Sequence, residues 1–429
     1  MRSPHGRSGE RRRLFESRMI SPAQPSYRAL LTLPSVGRLL AGMQIARIAQ
    51  SMMGIAVVLF TLNSYHSPVL AGVATFFSIF PGIVMSPLAG ALLDRYGRSW
   101  LVVLDYFVTM TALILLGVLF LVHLLPVWLL LVIVTFASMT STLSGPGLRS
   151  LFPIIVPSHL WERINAVDSA GFVIATIVGP PIAAVLVSVY GGAATLITVG
   201  LAYGLAAIVL WRTPNPPSHV STKGSLLADA WHGLRYTWGN PTLRGLAVSL
   251  STLNLGGGAL NIVVPLIVLE RLHMSDTVVG LVFAVQGITG MASAVFVGRT
   301  DTRGRERMML AIPMLVTALL PAVLLLDSTL TTLILAMALV GFLNGPIDIA
   351  LFTLRQRRTA AAMRGRAFAI SMSLNYMGSP IGSAIAGTVA ARSIGGALFF
   401  ILAASLMSGA LVLHMIPRSA EPKEENTHR

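Results

Sequence analysis

Apolar runs recur along the whole of this chain, and each is close to the length of about 20 residues that an α-helix needs to cross a bilayer. Several of them, such as 128–135 and 310–326, are apolar all round and lack the one-sided stripe of a helix in a soluble protein. Because lipid offers no hydrogen bonds to a polypeptide backbone, such runs must fold as helices. The sequence therefore predicts an all-α integral membrane protein.

Twelve such runs are predicted to form two pseudo-symmetric bundles of six transmembrane helices. The predicted spans begin near Leu39, Pro68, Trp100, Leu125, Ile164, Ala193, Leu243, Val278, Met308, Thr329, Ala367 and Gly396. The longest polar interruption lies between the sixth and seventh spans and is predicted to be a linker between the bundles. The predicted domain bounds are 1–37 for a disordered basic tail, 38–211 for the N-terminal bundle, 212–241 for the linker, 242–416 for the C-terminal bundle and 417–429 for a second tail.

The net charge of +15 is concentrated in alternate connections between the predicted spans. Arginines fill the N-terminal tail and the even-numbered connections, to which Arg149 and Arg355 are assigned. The odd-numbered connections hold only Arg271 and Arg392. This alternation is the positive-inside pattern, which predicts that both termini and the linker face the cytoplasm. A basic nucleic-acid-binding domain would show no such alternation, so no nucleic-acid partner is expected.

A short helix is predicted within the linker. One face of it carries Leu227, Trp231, Leu234 and Trp238, whereas Asp229 and Arg235 are predicted to lie elsewhere on its surface. A helix resting in the inner membrane interface would have this pattern. A helix packed on the cytoplasmic ends of the bundles would have it equally, so both interpretations stay open.

A charged tract separates the second and third predicted spans, and a reduced copy separates the eighth and ninth. The first reads Gly90-Ala-Leu-Leu-Asp94-Arg95-Tyr-Gly97-Arg98, and Asp301-Thr-Arg-Gly304-Arg305 follows it 207 residues later. The glycines permit a tight turn, and the arginines can reach lipid phosphates or the carbonyl ends of helices. Two charged hairpins at matching places indicate a transporter built from repeats. A turn that only anchors a membrane hairpin is the alternative.

The first tract resembles the loop between helices 2 and 3 of the major facilitator superfamily. It lacks only the last basic residue of that pattern, where Ser99 stands. The resemblance implies alternating access by two six-helix bundles, with both hairpins acting as a latch on the cytoplasmic side. It also implies that the Asp94 hairpin stabilises the outward-open state by docking against the eleventh helix.

Three further stretches narrow the resemblance to exporters related to macrolide efflux proteins and the enterobactin exporter. They are Gly345-Pro346 through Thr353-Leu-Arg-Gln356 to Arg364-Gly365-Arg366, then Gly233-Leu-Arg-Tyr236, and Asn240-Pro-Thr-Leu-Arg244. This resemblance covers nearly the whole chain apart from the tails. It implies a drug:proton antiporter in a bacterial plasma membrane, driven by the proton gradient without a cofactor. A monomer in the lipid bilayer, with a small molecule as its substrate, is expected.

Small residues in the fifth span resemble the antiporter motif of drug exporters, which ends Gly-Pro-x-x-Gly-Gly. Here Gly171 and Gly179-Pro180 are present, but Ala183 and Ala184 replace the final glycines, so the match is partial. A seam of small residues would allow close approach between the halves, with the Gly-Pro step as a bend. The motif favours export over uptake. Ordinary packing of small residues is the alternative.

Proline positions also repeat between the two halves. Pro180 is matched by Pro380, and Gly145-Pro146 by Gly345-Pro346, each at an interval of 200 residues. Pro380 is therefore predicted to be a second hinge, equivalent to Pro180.

Charged side chains inside predicted spans are candidates for proton coupling, because an ionised group there costs several kcal/mol unless it is paired or hydrated. They are Arg47, Asp105, Asp168 and Asp348. Arg47 resembles the arginine that exporters of this subgroup carry early in their first helix. Asp168 or Asp348 could alternate between a protonated state and an arginine-paired state, whereas a static ion pair is the alternative. Asp105 is expected to be structural, paired with Arg98 or Arg149.

Uncharged polar side chains inside otherwise apolar runs are candidates for the substrate cavity. They are Gln44, Gln50, Asn254, Asn261, Gln286, Asn344 and Asn375. In lipid they must find partners or water. About half are expected to face the central cavity, and the rest to form hydrogen bonds between helices.

Other classes of chemistry find little support in the sequence. The chain has no cysteine, which excludes disulfides and thiolate metal sites. It also lacks a phosphate-binding loop and a His-Glu-x-x-His motif, and its first 37 residues do not form a secretory signal. The sequence thus predicts a secondary active transporter that exports an apolar or amphipathic small molecule, not an enzyme. A lipid or nutrient transporter of the same fold, and a sensor or scaffold without transport, stay open.

Overall fold

The structure is a computed structural model that describes residues 26–96, 98–213, 226–299, 302–360 and 363–418. Helix accounts for nearly all of these residues, and no strand occurs among them. This confirms the all-α prediction.

The helices that coincide with the predicted spans are labelled α1 to α12. In the N-terminal half they are α1 (Val36–Tyr65), α2 (Pro68–Tyr96), α3 (Arg98–Leu121), α4 (Val127–Ser141), and α5 (161–190) and α6 (192–210), which are two arms of the helix Trp161–Leu210. In the C-terminal half they are α7 (Pro241–Leu266), α8 (Asp276–Val297), α9 (Glu306–Val316 with Leu319–Leu326), α10 (Leu330–Arg357), α11 (Arg364–Tyr376 with Gly378–Ala390) and α12 (Ile394–Met415). The remaining elements are the linker helix (Leu226–Gly239), the short helices Tyr27–Leu31, Ser144–Arg149 and Phe152–Ile155, the 3-10 turn Ser158–Leu160 and the π-helical turn Ile267–Arg271.

Nine helices in the described part of the chain are long and apolar enough to cross a membrane. The difference from twelve has three sources. α5 and α6 follow each other without a loop and are separated only at Gly191, α4 has only 15 residues, and α11 is divided into two helices of 13 residues each. Every predicted span falls on helix, while the number of twelve crossings stays a prediction.

Gly191 marks the boundary between α5 and α6. Its φ of 81° and ψ of 164° interrupt the helical geometry at this one residue. Only glycine adopts this region without strain, because a Cβ would clash with the backbone. The chain can therefore reverse from the fifth to the sixth predicted span without a longer loop.

The two halves repeat the same set of helix contacts. α1 packs on α5, α2 on α4, and α3 on α6, just as α7 packs on α11, α8 on α10, and α9 on α12. This correspondence confirms two pseudo-symmetric bundles. The exact domain bounds stay predictions.

Close packing joins the halves near the ends of the helices that adjoin the odd-numbered connections. A Cβ added to Gly280 of α8 would lie 2.7 Å from Pro181 of α5, and one added to Gly72 of α2 would lie 3.1 Å from Gly387 of α11. The amide of Asn63, at the end of α1, also donates to the Asp276 carboxylate of α8 at 3.0 Å. The halves are thus held together at the end that the charge pattern predicts to face outward.

The linker helix packs on the bundles and also leaves one face exposed, while its placement in the membrane interface stays a prediction. Gly233 and Thr237 are buried where the helix packs against α7 and α11, whereas Trp231 and Trp238 are exposed. Arg235 is also exposed and lies between the two tryptophans on the same face. The prediction that Arg235 lies elsewhere was wrong, because residues separated by four and three positions fall on one helical face. The side chains of Leu227 and Asp229 lie outside the described part.

Candidate functional site

Asp168 of α5 is the centre of a charged cluster in the N-terminal half. Its side chain is only 5% exposed. From α1, Arg47 donates one hydrogen bond to the Asp168 carboxylate and a second, at 2.6 Å, to the backbone carbonyl of the same residue. Arg47 thus binds both the side chain and the main chain of Asp168. The two in-span charges that the sequence singled out are brought together by the packing of α1 on α5.

Arg149 completes the cluster. It ends the short helix Ser144–Arg149, and its Nε donates to the second carboxylate oxygen of Asp168 at 3.0 Å. Its side chain is 57% exposed, whereas that of Arg47 is 16% exposed. Two cations therefore share one carboxylate, one of them enclosed and the other open to its surroundings. The sequence had assigned Arg149 to a connection, as one positive charge among many.

Two glycines allow α5 to approach α1 closely enough for this contact. A Cβ at Gly171 would overlap the side-chain oxygen of Gln44, and one at Gly179 would overlap Ser51. Both neighbours belong to α1, so these glycines pack within the N-terminal half. The prediction of a seam between the halves was wrong for them, because the opposite side of α5 faces α8, where Pro180 and Pro181 meet Gly280.

The C-terminal half has a corresponding but uncharged contact. The amide of Asn254 on α7 donates to the backbone carbonyl of Asn375 on α11 at 2.9 Å. With its amide oriented to suit its neighbours, Asn375 accepts from Arg355 at 2.8 Å and donates to the carbonyl of Ser371 at 2.9 Å. Asn375 is 3% exposed and Arg355 is 1% exposed. Asn375 therefore lies in a helix interface and not in a cavity.

The two clusters occupy equivalent positions in the two halves. Asn254 follows Arg47 by 207 residues, and Asn375 follows Asp168 by the same interval. Gly378, whose Cβ would overlap the carbonyl of Ser251 on α7, is likewise 207 residues after Gly171. This is also the interval between the two charged tracts.

The interval of 207 residues corrects the predicted pairing of prolines. In this register, Pro380 corresponds to Val173, and Pro180 corresponds to Gly387. Pro380 is buried near the start of the second helix of α11, whereas Pro180 faces α8. The spacing of 200 residues thus joined prolines that have different surroundings.

Asp348 does not join the Asp168 cluster. It lies on α10 with an exposed side chain, within electrostatic range of Tyr376 on α11. Tyr376 is itself 53% exposed and also interacts with Arg355 and with Arg149 of the other half. Tyr376 thus lies within electrostatic range of charged groups from both halves, a position that no sequence pattern indicated.

Hydroxyl groups surround Asp105, and none of the arginines whose side chains are described pairs with it. Its side chain is 2% exposed, and its hydrogen-bonding neighbours are Thr109, Thr140 and Ser144. The predicted pairing with Arg149 was wrong, because Arg149 reaches Asp168 instead. The side chain of Arg98 lies outside the described part.

The remaining candidates for the substrate cavity are more accessible than Asn375. Gln50 on α1 and Asn344 on α10 are exposed, and Gln286 on α8 and Asn254 on α7 are half-buried. Gly341 of α10 packs tightly against the backbone of Gln286. These amides come from helices of both halves.

The predicted latch is described only in part. Gly90, Asp94 and Arg95 lie in the last turns of α2, and Arg98 begins α3, but their side chains are outside the described part. Gly97 and Asp301 lie outside it altogether. Gly304 has a φ of 73°, which favours glycine, and Arg305 directly precedes α9. The latch therefore stays a prediction.

Arg355 is the main residue that the sequence interpretation misplaced. It was counted in a connection, but α10 continues to Arg357 and carries Arg355 into the helix packing. Its guanidinium donates to the sulfur of Met372 at 2.8 Å and lies 5.9 Å from the centre of the Phe352 ring. Leu351 and Leu354, both buried, were the available sign that the helix extends this far.

No group of three or more histidine or acidic side chains in the described ranges could hold a metal ion.

Comparison with known protein families gives a match over most of the chain. A family model described as transmembrane secretion effector matches residues 39–428. A Sinorhizobium fredii protein named Uncharacterized MFS-type transporter y4rN is 37% identical over 93% of this chain and 99% of that protein. Multidrug efflux pump Tap of Mycolicibacterium fortuitum is 27% identical over 86% of this chain and 93% of its own length. Macrolide efflux protein A of Streptococcus pyogenes is 22% identical over 86% of this chain and 92% of its own length.

Solved transporter structures share the fold. The nucleoside transporter NupG superposes with a TM-score of 0.71 at 12% identity, covering 88% of this chain and 97% of that one. An inward-facing bacterial homolog of the human lysosomal transporter Spinster gives a TM-score of 0.67 at 14% identity, covering 88% of this chain and 94% of that one. At these identities the likeness concerns the fold alone.

Proposed function

This chain belongs to the transmembrane secretion effector family of major facilitator transporters, and from that premise we propose that it exports an apolar or amphipathic small molecule in exchange for protons. It is a multi-pass membrane transporter with a small-molecule substrate, and it is not an enzyme. Direction, proton coupling and substrate class are the proposal. Relatives named as a multidrug efflux pump and a macrolide efflux protein support export.

The observation that carries the coupling proposal is that Asp168 is held by two arginines on separate elements. A proton on Asp168 would remove the negative charge that attracts both guanidinium groups. Arg47 is enclosed beside α5, whereas Arg149 is 57% exposed on a short helix and has room to leave. Protonation of Asp168 would therefore release Arg149, and loss of the proton would draw it back.

The release of Arg149 would affect both halves of the protein. Arg149 interacts with Tyr376, which lies beside Asp348 in the C-terminal half. Movement of Arg149 would therefore move a positive charge away from the C-terminal half. We assign Asp348 a second place in the coupling, as the acid that faces this contact.

The substrate would bind between the halves. Gln50, Asn254, Gln286 and Asn344 are the accessible or half-buried amides that the described helices of both halves supply. Few charges and several amides suit an amphipathic molecule with some hydrogen-bonding groups. Gly179 and Pro180, placed between α1 and α8, would form the hinge about which the cytoplasmic side opens, and the Asp94 and Asp301 tracts would latch that side.

The experiment that tests coupling is transport into inverted membrane vesicles, with and without an imposed pH gradient. A fluorescent apolar dye and a labelled macrolide would serve as substrates. We expect the wild type to accumulate at least one of them only with the gradient, and Asp168→Asn to accumulate neither. The amide keeps the size of the side chain but can carry no proton.

Glu162→Gln is the matched control, because Glu162 lies on the same helix but is 85% exposed and, among the described residues, pairs with its neighbour Arg163 alone. It should transport like the wild type. Gradient-driven transport by Asp168→Asn at the wild-type rate would remove Asp168 from the coupling. Accumulation that ignores the gradient would contradict proton exchange, and no accumulation by the wild type would favour a lipid or nutrient substrate.

A further inference from the structure

The linker helix presents an exposed stripe of two tryptophans and one arginine. Trp231 is 63% exposed and Trp238 is 51% exposed, and the exposed Arg235 lies between them. Tryptophan prefers the headgroup layer of a bilayer, and arginine there pairs with lipid phosphate. A stripe of this kind, on a helix that does not cross the membrane, is typical of a helix in the interface.

The other tryptophans place the linker helix at the level of the headgroups. Three more lie at the same end of the bundles and are exposed, namely Trp100 at the start of α3, Trp161 at the start of α5 and Trp211 at the end of α6. Trp100 and Trp211 contact each other edge to face, with ring centres 5.9 Å apart. Together with the linker they form an aromatic belt at this end.

The linker helix is fixed in position by hydrogen bonds to the connection between α10 and α11. The Tyr236 hydroxyl accepts from the backbone N–H of Ala360 at 3.0 Å. The Asn240 amide donates to the backbone carbonyl of Arg358 at 3.0 Å, while its oxygen caps the start of α7. The exposed stripe is therefore held at a set distance from α11.

A cavity of about 500 Å³ opens between the linker helix and the start of α11. Its lining residues are His232, Arg235, Tyr236 and Met363. Arg235 has no carboxylate partner among the side chains that the structure describes, whereas nearby Arg357 is paired with Glu306. The cavity thus combines a guanidinium that no described carboxylate neutralises with a phenol and an apolar side, at the depth of the headgroups.

We propose that this cavity binds the phosphate headgroup of an anionic phospholipid, with Arg235 as the principal contact. The guanidinium matches the oxygens of a phosphate, and His232 supplies a second nitrogen beside it. Trp231 and Trp238 would lie along the glycerol and upper acyl chain, and Met363 would close the apolar side. The bound lipid would join the linker to α11. This site is separate from the substrate cavity and does not depend on the proposed transport cycle.

The test uses the full chain purified in detergent, with phosphatidylglycerol or zwitterionic phosphatidylcholine added in equal amounts. We expect phosphatidylglycerol to raise the apparent Tm of the wild type more than phosphatidylcholine does. Arg235→Gln should lose this difference and retain about fivefold less phosphatidylglycerol after gel filtration, measured by mass spectrometry. Arg235→Lys should retain an intermediate amount, because it keeps the charge but not the planar fork.

Arg271→Gln is the matched control, since Arg271 lies at the opposite end of the bundles and donates to the Ser328 hydroxyl. It should respond to phosphatidylglycerol like the wild type. Equal lipid retention by the wild type and Arg235→Gln would overturn the proposal. Inorganic phosphate that gives the same rise in Tm, lost in Arg235→Gln, would also overturn it in favour of a free anion. Gel-filtration profiles of all variants should match, because Arg235 is exposed.

Discussion

In the N-terminal half, Arg47 of α1 binds Asp168 of α5, and in the C-terminal half, Asn254 of α7 binds Asn375 of α11. The positions are equivalent, and each contact links two residues that are 121 apart in sequence. The first contact is an ion pair, whereas the second joins uncharged amides. The same helix packing is therefore compatible with neutral groups.

This difference bears on why the charges are present. Burying an ion pair has a large desolvation cost, and neutral replacements of similar size are often no less stable. Since amides hold α7 against α11, packing alone does not require a charge between α1 and α5. The proposed coupling would account for a carboxylate at this position, because an amide there could not carry a proton.

The largest expected effect is on the ion pair itself. Asp168→Ala should lower the free energy of unfolding by about 3–5 kcal/mol, because Arg47 would be left enclosed without its carboxylate. Thermal unfolding of the purified variant would measure this loss. Glu162→Ala, at an exposed acid on the same helix, should change the unfolding temperature little. A similar loss in both variants would mean that the Asp168 cluster has no special role in stability.

The equivalent change in the C-terminal half should cost less. Asn375→Ala removes the side-chain hydrogen bonds with Arg355 and Ser371, but it keeps the backbone carbonyl that accepts from Asn254. We expect a loss of about 2 kcal/mol, the usual range for a hydrogen bond to a charged group. The same thermal unfolding measurement applies. A loss as large as that of Asp168→Ala would contradict the distinction between an ion pair and a contact in which one partner is uncharged.

The glycines beside the two clusters offer a comparison of packing without charge. A Cβ at Gly378 would overlap the backbone carbonyl of Ser251, whereas one at Gly171 would overlap the end of the Gln44 side chain. A side chain can turn away, but a helical backbone cannot. Gly378→Ala should therefore destabilise the protein by about 1–3 kcal/mol, and Gly171→Ala by less. Equal losses in the two unfolding measurements would show that Gln44 is held as firmly as a backbone.

The smallest expected effect on stability is at Arg149. A substitution there should affect proton coupling without affecting helix packing. Its side chain is 57% exposed, so Arg149→Ala should change the free energy of unfolding by less than about 1 kcal/mol. Gradient-driven transport should nevertheless fall strongly, because the exposed partner of Asp168 is lost. Vesicle transport and thermal unfolding of the same variant would test both parts. Unchanged transport would leave Arg47 as the sole partner that matters.

Several features of the candidate site could be predicted from single residues. Arg47 and Asp168 were identified because a charge within an apolar run is costly and needs a reason. Arg149 and Arg355 were not, because an arginine at the end of a run looks the same whether it enters the bundle or remains in a connection. Asn375 was recognised as polar within a span, but the sequence could not tell a helix interface from a cavity.

The spacing between repeated motifs also predicted some equivalent positions correctly and others wrongly. The two charged tracts are 207 residues apart, and the structure shows the same interval between the Arg47–Asp168 and Asn254–Asn375 contacts. The prolines are 200 residues apart, and Pro180 and Pro380 have different surroundings. Gly and Pro are frequent in membrane helices, so matches between them arise easily. A charged tract is rarer and therefore a better guide to register.

The sequence alone determined the helical membrane fold, its division into halves and the family, because lipid excludes other backbones and the apolar runs are long. Only the tertiary structure decided which charges meet. Side chains that are 121 residues apart come together through the approach of two helices, and that approach depends on glycines whose contacts lie on another helix. A sequence pattern indicates which side chains share one face of a single helix. Which side chains pair depends on how two helices are rotated and shifted relative to each other.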